Sequence, residues 1–312
     1  MDSLGEIDAN SKESVGAENV SNLGVASTEA PKKTPMYEAI HASRYHRQSL
    51  IKQIEEACGC RLISYVCGRG AEIHRDDAAG FVEMLHNIPA DTDIDLLLHT
   101  GGGDIDAAEK LIALVQATVG KARLRVIIPD FAKSAGTIMA LAADTLIMSD
   151  SSELGTIDPQ IWLKDGHGNW ICHSVLSYLD AYKTHSEALR SNPTDPVARL
   201  MLGKLDPATV RQFEAVKERA RAVAEKLLKR KGRNWTKIPG ILMDIDRWPS
   251  HGQMINWKDA RQELELDVEY LPPTNEQWRA YWRLYCLLRL AINDKDNQNI
   301  FESSYASLIL EQ

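Results

Sequence analysis

The chain has 312 residues, 44% of them apolar, and 44 acidic against 36 basic side chains give a formal charge of −8. That length and apolar content suit one large α/β domain with appendages. The acidic balance gives no electrostatic reason to expect nucleic acid as a main partner. The opening MDSLGEIDANSKES lacks the basic and apolar regions of a signal peptide. No apolar run reaches the roughly 18 residues that a spanning helix needs, so a cytosolic protein is expected. Five scattered cysteines, Cys58, Cys60, Cys67, Cys172 and Cys286, read as free thiols in a reducing compartment. The pair Cys58-Gly59-Cys60 has no second pair downstream to complete a zinc knuckle.

Residues 1–36 are polar and without apolar period, which reads as a disordered tail. SLIKQIEEA then has the pattern of a helix packed on the body, and RLISYVC that of a strand. A Gly-Arg-Gly turn and a helix through DDAAGFVEMLHNI follow. IDLLLHT is a second strand, closed by Gly101, Gly102 and Gly103, and DAAEKLIALVQATVG a helix with Leu111, Leu114 and Val115 on one face. LRVIIPD, SAGTIMALAA and TLIMS read as strand, helix and strand. Strands alternating with helices at this spacing form βαβ units on a mostly parallel sheet, and short apolar runs without alternation suit strands covered on both faces. Two long helical stretches come next, about 174–190 and 207–230. The basic end of the second, EKLLKRKGR, reads as a solvated face. The chain closes on WPSHGQMINWKDA and the helical EQWRAYWRLYCLLRLAIN, whose Trp and Leu stripe suits a core or an oligomer interface. No internal repeat is present.

Two segments carry the chemistry. His99-Thr100-Gly101-Gly102-Gly103-Asp104 ends a strand and starts a helix, where glycines admit close approach and exposed N–H groups receive developing negative charge. Neither the Walker A nor the dinucleotide glycine pattern occurs there. Phe131-Ala132-Lys133-Ser134-Ala135-Gly136-Thr137 lies at the next strand-to-helix junction, with small residues around a serine at the helix N-terminus. Such a serine is ordinarily an N-cap. Beside a glycine-rich anion site it is also the arrangement of nucleophile and oxyanion hole used in acyl transfer. Lys133 receives no role.

LLLHTGGGDIDAAEKLI and IIPDFAKSAGTIMALAADTLIMSDSSELGTIDPQI resemble the serine dehydrogenase proteinase group, which is related to signal peptide peptidase A and more distantly to Clp protease subunits and crotonases. The resemblance covers about 61–160 and returns at PSHGQMINWKDA. It implies an α/β fold, a Clp/crotonase-type spiral of ββα units with a mostly parallel sheet, plus a helical C-terminal region. The expected division is a tail at 1–36, a hydrolase-like domain at 37–270 and a helical extension at 271–312.

The resemblance further implies Ser134 as nucleophile, with Gly102 and the N–H of Ala135 as oxyanion-hole donors. Clp subunits place a His soon after the nucleophile, but LGTIDPQ has Asp158 there instead. The group's order Ser, Asp, His selects Ser134, Asp158 and His251, the last in a Pro-Ser-His-Gly turn; the bland reading of both partners is a turn residue. Signal peptide peptidase A enzymes use a lysine base, which points to Lys183, with His185 and Asp180 nearby; lysine serves as a base only when burial or a cation lowers its pKa. The implied activity is peptide hydrolysis without metal or organic cofactor, by a homo-oligomer whose partners are peptides or proteins. An inactive peptide-binding scaffold and crotonase-type acyl-CoA chemistry remain open, the latter disfavoured by the exposed serine.

Overall fold

The computed structural model describes residues 33–164, 167–292 and 297–311. The chain divides into two units, 1–41 and 42–312. In the first, most of the expected tail lies outside the described residues. Pro35–Ile40 forms α1, which Thr34 caps by accepting from the Tyr37 N–H at 3.3 Å.

The second unit is built on a seven-stranded sheet. After α2 (Ala42–Cys58) come β1 (Arg61–Cys67), α3 (Ala78–Leu85), β2 (Ile94–His99), α4 (Ile105–Val119) and β3 (Leu124–Ile127). β4 (Phe131–Ala132), α5 (Ala135–Ala140), β5 (Thr145–Met148) and β6 (Glu153–Leu154) follow. β1, β2, β3 and β5 lie side by side in parallel, and every residue of β2 is buried. This is why their sequences are continuous apolar runs: helices cover both faces, so no polar alternation is needed. One layer of core is Leu96, Leu98, Val126 and Leu146 against Leu111, Ile112 and Val115 of α4. On the other face Leu62, Leu97 and Ile127 meet Ile51 and Ile54 of α2.

The segment after β6 is richer than its sequence suggested. β7 (Gln160–Lys164) and β8 (Trp170–Ser174) form an antiparallel hairpin ahead of α6 (Val175–Ser191), α7 (Pro196–Leu202), α8 (Pro207–Arg230) and α9 (Lys237–Leu242). The basic end of α8 is partly consumed internally: Lys226 pairs with Glu109 of α4 at 2.6 Å, and Arg230 donates to Gln116 at 2.8 Å. β9 (Ile255–Asn256), α10 (Trp257–Gln262) and β10 (Val268–Tyr270) lead to α11 (Glu276–Arg289), β11 (Gln298–Ser303) and β12 (Ser307–Glu311).

The expected helical extension at 271–312 needs correction. α11 packs Tyr281, Leu284 and Leu288 into the core, while β11 pairs antiparallel with β1 and β12 with β11. The sheet order is β10-β5-β3-β2-β1-β11-β12, so this segment supplies one side of the domain's own sheet. Among the described residues no helix is long and apolar enough to cross a membrane.

Candidate active site

A second, three-stranded sheet of order β4-β6-β9 positions the site. β4 runs parallel to β6, and β9 antiparallel to it, with Leu154 opposite Ile255. The ends of β4 and β6 and the start of β9 therefore lie together. Ser134 follows β4, Asp158 follows β6 and His251 precedes β9. Strand direction thus brings three segments far apart in sequence to one end of this sheet.

Ser134 sits at φ 50° and ψ −116°, in the region that non-glycine residues avoid, and its side chain makes no capping bond. A serine acting only as an N-cap has extended backbone and a bonded hydroxyl. Here the turn is held in a strained conformation that leaves the hydroxyl available. The strain is over-determined: Lys133 N–H donates to Thr100 O at 3.0 Å, Gly136 N–H to Lys133 O at 2.7 Å, and Thr100 N–H to Phe131 O at 3.1 Å. Thr137 Oγ1 accepts from Gly155 N–H at 3.0 Å and lies 2.8 Å from Ala132 O, tying α5 to the loop that leads to Asp158.

The glycine loop lies against this turn. A Cβ placed on Gly102, at φ 116°, would stand 2.8 Å from Ser134 Cβ and 3.1 Å from Lys133 O. Gly102 O accepts from Ile73 N–H at 2.7 Å, and Ile73 O accepts from Asp104 N–H at 2.9 Å, so the loop is laced to the β1–α3 connection. Asp104 caps α4 through Asp106 N–H at 2.7 Å and Ala107 N–H at 3.0 Å. Gly102 N–H donates to Thr100 Oγ1 at 3.1 Å. Ala135 N–H has no hydrogen-bond partner among the described residues.

His251 Nδ1 lies 3.7 Å from Asp158 Oδ2, with the imidazole about one-third exposed. That nitrogen is buried without a hydrogen-bond partner among the described residues. Asp158 is buried, and its carboxylate accepts from Gln160 Nε2 at 2.7 Å and Ser174 Oγ at 2.9 Å. These donors hold the carboxylate against rotation and offset part of its desolvation. Ser134, His251 and Gly102 line one cavity of about 730 Å³. Apolar Ile105, Phe131, Trp162 and Val216 share its wall with charged Arg69 and Glu72. Cys67 also lines it, but burial pushes that thiol up to about 12, so it offers no thiolate near neutrality.

Two features escaped the sequence. Lys133 is 12% exposed and pairs with Glu153 at 3.1 Å. Its Nζ also lies within hydrogen-bond reach of Leu154 O at 3.3 Å, Gly252 O at 3.4 Å and Gln253 O at 3.3 Å. The residue before Ser134 thus clamps the turn that carries His251. Its sequence neighbourhood could not have told this, because every partner is remote in the chain. The second is His99, packed on Phe131 and Tyr285 and 3.8 Å from Asp130, which accepts from Tyr285 Oη at 2.8 Å. This is another His–Asp pair lining the same cavity.

Lys183 is not brought to this site. It is exposed on α6 and lines a separate groove with Arg190, Arg211 and Glu214. His185 and Asp180, on the same helix, do not line the Ser134 cavity either. The lysine-base alternative therefore loses its geometric support.

The fold and site together define a ClpP-like α/β protein with an elbow serine beside a glycine loop. The sequence matches the family described as ClpP-like SDH-type serine proteinases over residues 37–178. An uncharacterized protein of Methanocaldococcus jannaschii is 32% identical over 263 residues, 76% of this chain and 80% of its own length. A second uncharacterized protein of that organism is 40% identical over 86 residues, 28% of this chain and 29% of its own. The chain belongs to the ClpP-like SDH-type serine proteinase family. Among solved structures, it resembles a 1510-N membrane-bound stomatin-specific protease variant in complex with a substrate peptide. The match has 17% identity and a TM-score of 0.40, over 67% of this chain and 73% of that one. A second variant of that protease has 16% identity and a TM-score of 0.41, over 70% and 81%.

Proposed function

We propose that this protein is a serine peptidase that hydrolyses peptide bonds through an acyl-enzyme on Ser134. The observation that carries the reading is the convergence, at one edge of the β4-β6-β9 sheet, of a strained serine and a histidine 3.7 Å from a buried aspartate. In this reading Ser134 Oγ attacks the scissile carbonyl carbon while His251 takes its proton, and His251 returns it to the departing amine. Asp158 orients the imidazole and favours its charged form as the proton arrives. Ala135 N–H is the first oxyanion donor, since nothing competes for it. Gly102 N–H is the second, and it exchanges its bond to Thr100 for the stronger one to a developing oxyanion. Water then hydrolyses the ester, with His251 again as base. The reaction needs no metal or organic cofactor. Homo-oligomeric assembly and a cytosolic location belong to the same proposal.

Labelling of the purified protein with a fluorophosphonate probe tests the nucleophile. Labelling of wild type that disappears in Ser134→Ala, with matching loss of casein or peptide cleavage, supports the proposal. A folded wild type that neither labels nor cleaves leaves the chain as a peptide-binding scaffold.

A further inference from the structure

A second chemical site lies away from the Ser134 cavity, where α2 ends and β1 begins. Cys58 closes α2, Cys60 precedes β1, and Gly59 between them turns the chain at φ 66°. The sulfurs of Cys58 and Cys60 and a carboxylate oxygen of Asp95 all lie within 4.8 Å of one another. Cys58 is half-buried and lines a groove of about 700 Å³ between α2 and α11, while Cys60 is 6% exposed beneath it. Gln277 Nε2 donates to Cys58 Sγ at 3.2 Å, and Tyr281 Oη is 3.4 Å from the same sulfur.

A metal is a poor fit for this trio. Both oxygens of Asp95 are held by Arg125, through Nε at 2.7 Å and Nη2 at 2.6 Å, so the carboxylate faces a guanidinium already. That guanidinium also reaches Cys60 Sγ at 3.9 Å. With Asp95 already engaged by Arg125 and Cys60 held as a thiol, only Cys58 of the trio is ready to offer an ionised ligand.

We propose that Cys58 and Cys60 are a redox pair, in which Cys58 is the peroxide-reactive thiol and Cys60 the resolving one. Cys58 thiolate attacks a hydroperoxide, the O–O bond breaks, and Cys58 becomes a sulfenic acid as the alkoxide or hydroxide leaves and takes up a proton. Cys60 sulfur then attacks Cys58 sulfur, the S–O bond breaks, and the hydroxide leaves as water with the Cys60 proton. The sum is two thiols and one hydroperoxide giving one disulfide, one alcohol or water, and one water.

Each group around the pair has a place in this scheme. The hydrogen bond from Cys60 draws the Cys58 thiol down to about 6, against the opposing effect of burial. Tyr281 and Arg125 act in the same direction, and the Asp95 charge against it. The bond to Cys58 and burial push Cys60 up, which keeps it a thiol until the sulfenic acid forms. Glu276 adds a carboxylate to the groove wall. The inference does not rest on the proposed peptidase activity.

The test uses the full-length reduced protein and hydrogen peroxide, with peptide mapping after alkylation of remaining thiols. The expected result is a Cys58–Cys60 disulfide formed while exposed Cys172 remains alkylatable, and a dimedone-trapped sulfenic acid on Cys58 in Cys60→Ser. At pH 6, iodoacetamide should alkylate Cys58 faster than a reference cysteine peptide, because a lowered thiol carries more thiolate there. Oxidation that strikes Cys172 first and leaves the pair as thiols would overturn the proposal in the wild type, without any variant. Stoichiometric zinc uptake that protects both thiols would overturn it as well.

Discussion

Lys133 Nζ lies 3.4 Å from Gly252 O, and so joins the residue before the candidate nucleophile to the residue after the candidate base. Both groups ride on short strands, whose two-residue lengths give them little rigidity of their own. Removing the ammonium while keeping the stem, as in Lys133→Met, leaves Glu153 and three carbonyls short of a donor. The expected cost is about 1–3 kcal/mol of stability, seen as a lower urea midpoint. Misplacing His251 by about an ångström should lower kcat by up to roughly 100-fold, with KM little changed. Equal loss in kcat and KM would argue against a positioning role.

The 3.7 Å approach of His251 Nδ1 to Asp158 Oδ2 gives a sharper test. In serine triads the orienting aspartate is worth about 10⁴ in rate. Asp158→Asn and His251→Ala should each abolish detectable cleavage and slow fluorophosphonate labelling, whereas His99→Ala should retain most of it. The reverse ranking would move the base to the His99–Asp130 pair.

Gly102 has no room for a side chain. In Gly102→Ala the new Cβ would meet Ser134 Cβ at 2.8 Å, and φ 116° is itself unfavourable for alanine. We expect a folded protein by circular dichroism, about 1–3 kcal/mol less stable, in which Ser134 no longer labels. Normal labelling would mean that the loop does not press on the nucleophile.

Lys183→Ala should leave labelling and cleavage unchanged, because Lys183 is exposed on α6 beside a different groove. A loss of labelling without a loss of structure would restore a lysine base.

Trp162 is 60% exposed on β7 yet lines the Ser134 cavity, so it is available to an apolar side chain of a bound peptide. Trp162→Ala should raise KM for apolar peptides several-fold while fluorophosphonate labelling is unaffected. Unchanged KM would remove this wall from the substrate site.

The parallel core was legible because its strands are buried on both faces, which writes them as unbroken apolar runs such as Leu96-Leu97-Leu98. The long helix α8 was also readable, with Asp206 and Pro207 at its start, whereas the shorter α7, capped in the same way by Asp195, was not. β11 and β12 were not, because Gln298-Asn299 and Glu302 break the apolar run. Those polar groups are tolerated only through partners elsewhere: Asn299 Nδ2 donates to Glu72 O at 3.1 Å, and Glu302 accepts from Arg47 at 2.6 Å. The hairpin β7–β8 was hidden for a related reason, since its tryptophans are exposed and mark no core face.

The sequence by itself determined the glycine loop and the serine turn, because each is a local backbone problem whose solution needs small residues in consecutive positions. Through the family resemblance it also pointed to Asp158 and His251, with Lys183 as the alternative base. Only the tertiary structure put His251 beside Asp158 and Lys183 in a different groove. A two-residue strand carries almost no pattern, and it was the pairing of β4, β6 and β9 that set which remote side chains share an edge. The same is true of Lys133 and of the Cys58–Asp95–Arg125 cluster: their chemistry comes from partners that chain folding, not sequence proximity, brings within a few ångströms.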